Sequence, residues 1–278
     1  MTIEILEPHG FCAGVKNALQ KARALVTCHP QPSVAPVYCL HELVHNELVV
    51  ADLKSRGLKF VESLSDVPEG STVLFSAHGV SPSVRAEAAA RKLKVVDATC
   101  PFVARVHQAA SEFASRGLQV VVIGHPDHAE VKGITGEVPD PIVINDSSYT
   151  SLATAKRPLG VVSQTTMNAD DVAAVVERLR QTFVVESTAE VCRATKERQD
   201  AVKAFDGDAL LVLGSAQSSN TKRLCEVAHC RTFRAGTMAD LRDIDFSGIG
   251  RLGVTSGAST PEEFFSQAVD WLRTQAAT

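Results

Sequence analysis

Three cysteines share one local sequence context, and a cysteine thiolate can act as a nucleophile or as a metal ligand. Cys12, Cys100 and Cys192 each follow a short apolar run and precede the apolar spacing of an amphipathic helix. Their spacing is close to one third of the 278-residue chain. Such a period predicts three copies of one structural unit. Because backbone N–H groups at a helix start favour a thiolate, we expect the three sulfur atoms to meet as ligands of one metal centre or cluster.

Each cysteine also has a simpler interpretation, since a free cysteine often packs as a small hydrophobic side chain. Cys28, Cys39, Cys225 and Cys230 lack the strand–cysteine–helix context, and we interpret them in this way. Zinc is an alternative for Cys and His at strand ends. The sequence has no CxxC motif, however, and thiolates this far apart suit a large enclosed centre better. Iron–sulfur clusters normally take four cysteine ligands, so three would leave one iron open as a Lewis acid.

Polar side chains recur in the loops that follow the predicted strands. These loops are HELVHN, SAHGVS, GHPDHAE, SQTT, SSN and GAST. Imidazole, hydroxyl and amide groups, with few Lys or Arg, could bind an anion such as a diphosphate, aided by helix N-termini. Glu130 is a carboxylate beside a histidine in such a loop and is therefore the candidate proton donor. Taken alone, a histidine of this kind is more often structural, and SSN and GAST are ordinary N-cap or turn sequences.

Buried strands alternate with helices along the chain, and this alternation has to position the polar loops. The predicted strands are 36–40, 58–61, 72–75, 118–123, 160–162, 209–213 and 251–254, besides the three that precede the cysteines. Such alternation predicts largely parallel sheets covered by helices. The predicted fold class is α/β, with three pseudo-symmetric units and mainly parallel sheets around a central cavity. The predicted boundaries are 13–100, 101–188 and 189–278, with residues 1–12 supplying the first cysteine strand.

The composition excludes several classes of protein. The chain is 45% hydrophobic and 22% charged, with a net charge of −4. This composition is typical of a soluble globular protein and lacks the basic excess of a nucleic-acid-binding protein. No apolar run reaches the roughly 18 residues that a membrane span needs. The N-terminus has no basic segment followed by an apolar one, as a secretory signal would. Seven cysteines, an odd number, favour a reducing compartment, and we expect the protein to be cytoplasmic.

Together the motifs point to a known family. GFCAGV, HELVHN, FSAHGVS, DATCP, the run from Gly124 to Gly133, SQTT, the Cys192 loop, SSN and GVTSGAS cover nearly the whole chain. In these motifs, which occur in the family's order, the chain resembles the LytB or IspH family, the 4-hydroxy-3-methylbut-2-enyl diphosphate reductases of the non-mevalonate isoprenoid pathway. The family fold, three α/β units around a central cluster, agrees with the internal repeat.

The resemblance implies a reaction, a cofactor and an electron donor. The allylic hydroxyl would be removed with two electrons and two protons, giving isopentenyl and dimethylallyl diphosphates plus water. Cys12, Cys100 and Cys192 would hold a [4Fe–4S] cluster with one open iron site, and Glu130 would be the acid. The residues implied to bind the substrate, mainly its diphosphate, are His45, His78, His128, Thr165, Ser218, Ser219, Asn220 and Ser259. Ferredoxin or flavodoxin would supply the electrons.

Two positions near the third cysteine depart from the family's usual pattern. Arg193 and Glu197 stand where a Tyr and an Asn are usual. A diverged paralogue, acting as a cluster-bearing redox protein without turnover, is therefore one alternative. A zinc or other metal-dependent hydrolase of a phosphorylated compound is the other.

Overall fold

The computed structural model describes residues 1–28, 36–145 and 157–276. These residues belong to two compact units. The first unit contains Met1–Val15, Val44–Asp52 and Cys192–Thr278, and the second contains Lys16–Leu43 and Leu53–Val191. In the described part of the chain, the strands form three four-stranded sheets in which every pair is parallel. The predicted α/β class with parallel sheets is confirmed, whereas the three-unit boundaries stay a prediction.

Sheets I and II belong to the second unit. The strands of sheet I are β2 (Val37–Leu40), β3 (Lys59–Val61), β4 (Thr72–Phe75) and β5 (Lys94–Asp97), in the order β3-β2-β4-β5. The strands of sheet II are β6 (Gln119–Ile123), β7 (Ile142–Ile144), β8 (Leu159–Ser163) and β9 (Val185–Ser187), in the order β7-β6-β8-β9. In both sheets the last strand, which leads into a cysteine, lies at one edge.

Sheet III belongs to the first unit and takes its edge strand from the N-terminus. Its strands are β1 (Thr2–Ile5), β10 (Ala209–Leu213), β11 (Arg231–Ala235) and β12 (Arg251–Ser256), in the order β11-β10-β12-β1. The strand that leads into Cys12 therefore occupies the place that β5 and β9 occupy in sheets I and II. All three sheets share one strand order, which the sequence analysis did not predict.

Helices cover the sheets. They are α1 (Ala13–Cys28), α2 (Glu47–Ser55), α3 (Pro82–Ala90), α4 (Pro101–Ser115), α5 (Ala129–Thr135), α6 (Ala169–Arg180), α7 (Arg193–Ala204), α8 (Ser219–Glu226), α9 (Met238–Arg242) and α10 (Glu262–Ala276). Among the described residues, none of these helices is long and apolar enough to cross a membrane.

The burial of both faces of sheet III explains why the sequence of a strand such as β10 is a continuous apolar run. Leu211 and Leu213 of β10 pack into one core with α10, whereas Leu210 and Val212 pack into a second core with α7 and α8. Successive side chains of a strand point to opposite faces, so a strand covered on both faces is apolar throughout. β6 of sheet II is buried in the same way, between two cores.

The helix after Cys100 leaves the sheet of its own strand. Cys100 follows β5 of sheet I, but α4 packs on β6 and β8 of sheet II. Gly160 of β8 is needed there, because a Cβ at this position would lie 2.5 Å from the side chain of Phe113. The cysteine therefore lies where the chain leaves one sheet to cover the next.

Candidate active site

Two of the three cysteines lie in the first unit. Cys192 is the N-cap of α7, where its Sγ accepts the N–H of Thr195 at 3.4 Å. The N–H of Cys12 donates to the carbonyl oxygen of Ala258 at 3.1 Å. Both cysteines are free thiols of intermediate burial. Because the positive end of a helix favours negative charge, the position of Cys192 favours its thiolate.

A buried cation contacts the loop that precedes Cys12. Arg198 of α7 is only 3% exposed. Its Nη2 donates to the carbonyl oxygen of Gly10 at 2.7 Å, and its Nη1 donates to that of Ala194 at 2.9 Å. Burial lowers the pKa of Arg198, and interaction with the thiols of Cys12 and Cys192 counters this effect. The sequence analysis missed this residue, because nothing in the local pattern of α7 shows that an arginine is buried.

The serines and the asparagine of the SSN motif lie at the start of α8. Ser218 is its N-cap and accepts the N–H of Thr221 at 3.3 Å. Ser219 and Asn220 are in the first helical turn, so the helix starts earlier than the predicted start near Thr221. Asn220 is 3% exposed, and its amide nitrogen and oxygen have no hydrogen-bond partner among the described residues. A buried amide in this state indicates a place for a ligand.

The remaining predicted residues of the first unit, Ser259 and His45, are neighbours. Ser259 Oγ donates to the carbonyl oxygen of His45 at 3.2 Å. Ser215 Oγ, at the end of β10, donates to Glu47 Oε1 in the first turn of α2 at 2.8 Å. These bonds hold the His45 segment against the carboxyl ends of the strands of sheet III, where ligands of open α/β sheets bind.

Glu130 lies in the second unit and is almost completely buried, with 2% of its surface exposed. The sequence analysis placed it in a loop, but it is in the first turn of α5. The Thr165 N–H donates to Glu130 Oε1 at 2.7 Å, and Thr165 Oγ1 lies 3.1 Å from Oε2. Burial raises the pKa of Glu130 to about 7, although the two Thr165 hydrogen bonds favour the carboxylate. A carboxyl group that can hold a proton near neutral pH fits a general acid.

His128 and His78 lie next to this carboxyl group. His128 is the N-cap of α5, and its Nδ1 accepts the Glu130 N–H at 3.2 Å. Since Nδ1 accepts, the neutral ring carries its proton on Nε2. The rings of His78 and His128 meet edge to face, with centroids 5.6 Å apart. The structure therefore brings His78, His128, Glu130 and Thr165 together.

Cys100 is fixed by the same part of the second unit. It is the N-cap of α4, and its N–H donates to the carbonyl oxygen of Ala77 at 3.0 Å. Ala77 directly precedes His78, so the third cysteine is hydrogen-bonded to the loop that carries a predicted substrate-binding histidine.

His107 of α4 is a second residue that the sequence analysis missed. Its Nδ1 lies 2.8 Å from Glu137 Oε1, and its Nε2 is buried without a partner among the described residues. Added Cβ atoms at Gly79 and Gly133 would lie 2.8 Å and 2.9 Å from its ring. The ring thus fills the space between the His78 loop and the Glu130 helix. The sequence could have indicated this burial, because His107 lies on the apolar stripe of α4 together with Val103 and Ala110.

Two observations bear on a metal. Among the described residues, no group of three or more His, Cys, Asp or Glu side chains is arranged so that it could hold a metal ion. The HELVH sequence has the spacing of a helical zinc motif, but residues 41–46 are not helical, and α2 begins at Glu47. His41 instead lies 2.8 Å from Glu62 Oε2. This stretch therefore does not form the helical zinc site of a hydrolase.

The fold and these side chains define a class of protein, an α/β enzyme with three parallel four-stranded sheets and polar groups at their strand ends. Its chemical groups are thiols, imidazoles and one buried acid. The chain belongs to the LytB protein family, whose model matches residues 3–273. The resemblance that the motifs indicated is thereby confirmed.

Individual relatives agree with this membership. The 4-hydroxy-3-methylbut-2-enyl diphosphate reductases of Acidithiobacillus ferrooxidans and Azoarcus sp. are 42% and 43% identical to the chain; both alignments cover 98% of it and 89% of the relative. The solved E-1-hydroxy-2-methyl-but-2-enyl-4-diphosphate reductase from Plasmodium falciparum has a TM-score of 0.89 at 30% identity, covering 98% of this chain and 87% of that one. A solved (E)-4-hydroxy-3-methyl-but-2-enyl diphosphate reductase, the terminal enzyme of the non-mevalonate pathway, has a TM-score of 0.70 at 30% identity, covering 99% and 100%.

Proposed function

We propose that the protein reduces (E)-4-hydroxy-3-methylbut-2-enyl diphosphate to isopentenyl and dimethylallyl diphosphates, the last step of the non-mevalonate isoprenoid pathway. The reaction consumes two electrons and two protons and releases the hydroxyl group as water. Family membership over residues 3–273 supports the substrate and the reaction. The observation that carries the proposal is the buried Glu130 carboxyl, whose pKa is raised to about 7 beside the Thr165 hydroxyl.

The donor groups of the chain fit an iron–sulfur cofactor. Cys12, Cys100 and Cys192 are free thiols of intermediate burial, and Cys100 and Cys192 are helix N-caps. We therefore assign these three cysteines as ligands of a [4Fe–4S] cluster with one open site. When bound, such a cluster supplies electrons one at a time and an iron site that acts as a Lewis acid.

The chain itself supplies one of the two protons, the one that converts the departing hydroxyl into water. Oε1 of Glu130 accepts the Thr165 N–H, so the protonated carboxyl carries its hydrogen on Oε2. Thr165 Oγ1 donates to Oε2 of the carboxylate. On protonation this bond reverses, so that Oε2 donates to Oγ1 and the hydroxyl hydrogen of Thr165 becomes free to point at the departing hydroxyl of the substrate. The substrate-binding residues are those that the family resemblance implied, with His78 and His128 beside the acid. A low-potential ferredoxin or flavodoxin supplies the electrons, and the free cysteines fit a reducing cytoplasm.

Anaerobic reconstitution tests the function directly. The protein is incubated with iron, sulfide and a reductant, then given the allylic diphosphate and a chemical electron donor. We expect about four irons per chain, since this is the content of the proposed cluster. We also expect both isopentenyl and dimethylallyl diphosphates as products. A cluster without turnover would favour the redox-protein alternative, and one zinc with phosphate release would favour the hydrolase. Either result contradicts the proposal.

Asn220 provides a separate test of diphosphate binding. Replacing it with Ala removes a buried amide whose atoms have no partner in the described part of the chain. A hydrogen bond to a charged group contributes about 1.5–3 kcal/mol, so we expect KM to rise roughly 10- to 100-fold with a smaller change in kcat. Because the amide is unsatisfied in the free protein, the thermal stability should change little. Steady-state kinetics and thermal unfolding measure the two effects.

Asn168→Ala is the matched control. The Asn168 side chain caps α6 by accepting the Asp170 N–H at 3.0 Å. Loss of such a cap costs about 1 kcal/mol of stability, so this variant should unfold at a lower temperature and keep its KM. If Asn220→Ala instead behaved like this control, the assignment of Asn220 to the substrate would be wrong.

A further inference from the structure

Arg198 has an environment that the proposed reaction does not yet explain. Among the described residues, Arg198 and Glu130 are the only Lys, Arg, Asp or Glu residues that are buried. A buried charge is normally paired, because transfer from water is costly. The described residues give Arg198 no ion pair with a carboxylate, and its Nε has no hydrogen-bond partner there. The other guanidinium nitrogens donate only to backbone carbonyls, of Gly10 and Ala194.

Two thiols lie near the guanidinium of Arg198. Burial lowers the pKa of Arg198, and the opposing influences begin with Cys12 and Cys192, followed by Glu197 and Glu7. Glu197 is itself bound to Arg193 at 2.6 Å, at the exposed start of α7. The described residues therefore place two thiols, and no carboxylate in an ion pair, beside the buried guanidinium.

The backbone contacts of Arg198 give it a second effect. Its Nη1 bond to Ala194 ties the guanidinium to the first turn after Cys192. Its Nη2 bond reaches Gly10, which has a φ of 68° and whose N–H donates to Ser256 Oγ at 2.7 Å. Gly10 precedes Cys12 by two residues, so one side chain connects the two cysteine segments.

We propose that Arg198 is the buried counter-ion of the Cys12 and Cys192 thiolates and the residue that positions their two segments against each other. This role rests on the proposed function, since it assigns the thiolates to a cluster. Reduction adds negative charge to a thiolate-bound cluster, and a nearby cation in a poorly solvated site stabilises the reduced form. Arg198 therefore raises the reduction potential of the site.

The potential of three variants tests this role. Arg198→Met removes the charge and the hydrogen bonds, whereas Arg198→Lys retains the charge alone. Arg193→Met is the matched control, because Arg193 lies on the same helix but is 83% exposed. Redox titration of the reconstituted proteins should show that Arg198→Met lowers the midpoint potential by at least about 59 mV, a tenfold change for one electron. The midpoint potential of Arg198→Lys should shift by less than half of that amount. The potential of Arg193→Met should stay near that of the unchanged protein, because solvent screens the charge of Arg193.

The metal-free proteins provide a second measurement. Hydrogen exchange, followed by mass spectrometry at fixed neutral pH, shows how firmly the two cysteine segments are held. Exchange should speed up at residues 10–12 in both Arg198 variants, because neither makes the two carbonyl bonds of the guanidinium. Exchange in Arg193→Met should stay unchanged there.

The outcomes separate this inference from the proposed function. If Arg198→Met and Arg193→Met have equal midpoint potentials, the counter-ion role is wrong, whatever the turnover. If Arg198→Lys shifts the potential as far as Arg198→Met does, charge is not the cause and the inference is again overturned. A native protein that forms no cluster refutes the proposed function, and hydrogen exchange of the metal-free proteins still decides whether Arg198 holds the two cysteine segments. Should Arg198→Met fail to fold, faster exchange at residues 10–12 in Arg198→Lys than in Arg193→Met supports the positioning role, and equal exchange overturns the inference.

Discussion

Replacing Glu130 with Gln should lower turnover of the allylic diphosphate by roughly two to four orders of magnitude, the usual contribution of a general acid. Gln is close to isosteric and can keep both local hydrogen bonds, accepting the Thr165 N–H and donating to Thr165 Oγ1. It holds no transferable proton. The loss should therefore appear in kcat, while KM, iron content and fold stay close to those of the unchanged protein.

Glu112→Gln is the control for this substitution. Glu112 lies on the exposed side of α4, in the same unit as Glu130, and the same change there should leave kcat unaltered. Single-turnover experiments with the chemically reduced protein would measure the proton-dependent step without the electron donor. Full single-turnover activity in Glu130→Gln would show that another group donates the proton.

The pH dependence follows from the same carboxyl group. Burial raises its pKa to about 7 from an ordinary value of 4.5. If the protonated form is the catalyst, kcat should fall with rising pH above about 7, and Glu130→Gln should lose this dependence. The folded state also holds a proton that the unfolded chain releases. The corresponding stability is therefore fully present below pH 4.5 and is lost as the pH rises through about 7.

The sequence was sufficient for the parts of the molecule that depend on local pattern. The run ALLVL at 209–213 predicted β10, because a strand covered on both faces is apolar throughout. The apolar spacing after Cys100 predicted α4, since Val103, Ala110 and Phe113 all face the core. The repeated strand–cysteine–helix pattern also indicated three sheets of one design.

Short helices and long-range contacts were not predictable in this way. α5 and α8 have seven and eight residues, too few for a clear apolar period, so Glu130 and Asn220 were assigned to loops or helix borders. The burial of Arg198 depends on Gly10, which is 188 positions away. The burial of His107 depends on Glu137, 30 positions away, and on the absence of a side chain at Gly79. The sequence next to a residue does not identify such distant partners.

The departures at Arg193 and Glu197 have a local explanation. The two side chains form an ion pair at 2.6 Å, one helical turn apart on α7. Arg193 is 83% exposed, so solvent screens the pair and it adds little to the stability of the protein. Each residue is the ion-pair partner of the other, so the two unusual residues compensate each other's charge at the protein surface.

Replacing Cys192 with Ser should abolish cluster assembly. A hydroxyl is a far poorer iron ligand than a thiolate, and the proposed site has only three protein ligands. Iron and acid-labile sulfide should fall close to zero after anaerobic reconstitution, and visible absorbance and turnover should be lost with them. Elemental analysis and absorption spectroscopy measure the result.

The position of Cys192 makes this substitution unusually informative. Cys192 is an N-cap that accepts the Thr195 N–H, and Ser is among the preferred residues at such a position. The variant should therefore keep α7 and unfold at or above the temperature of the unchanged apoprotein, so cluster loss cannot be attributed to a broken fold.

Cys225→Ser is the corresponding control. Burial raises the pKa of Cys225 to about 11, which disfavours a thiolate, and its side chain packs against an apolar core. Ser at this position should therefore reduce stability slightly and leave the iron content unchanged. Equal iron in the Cys192 variant and the unchanged protein would show that Cys192 is not a ligand, and equal loss in both variants would show that iron content follows folding rather than ligation.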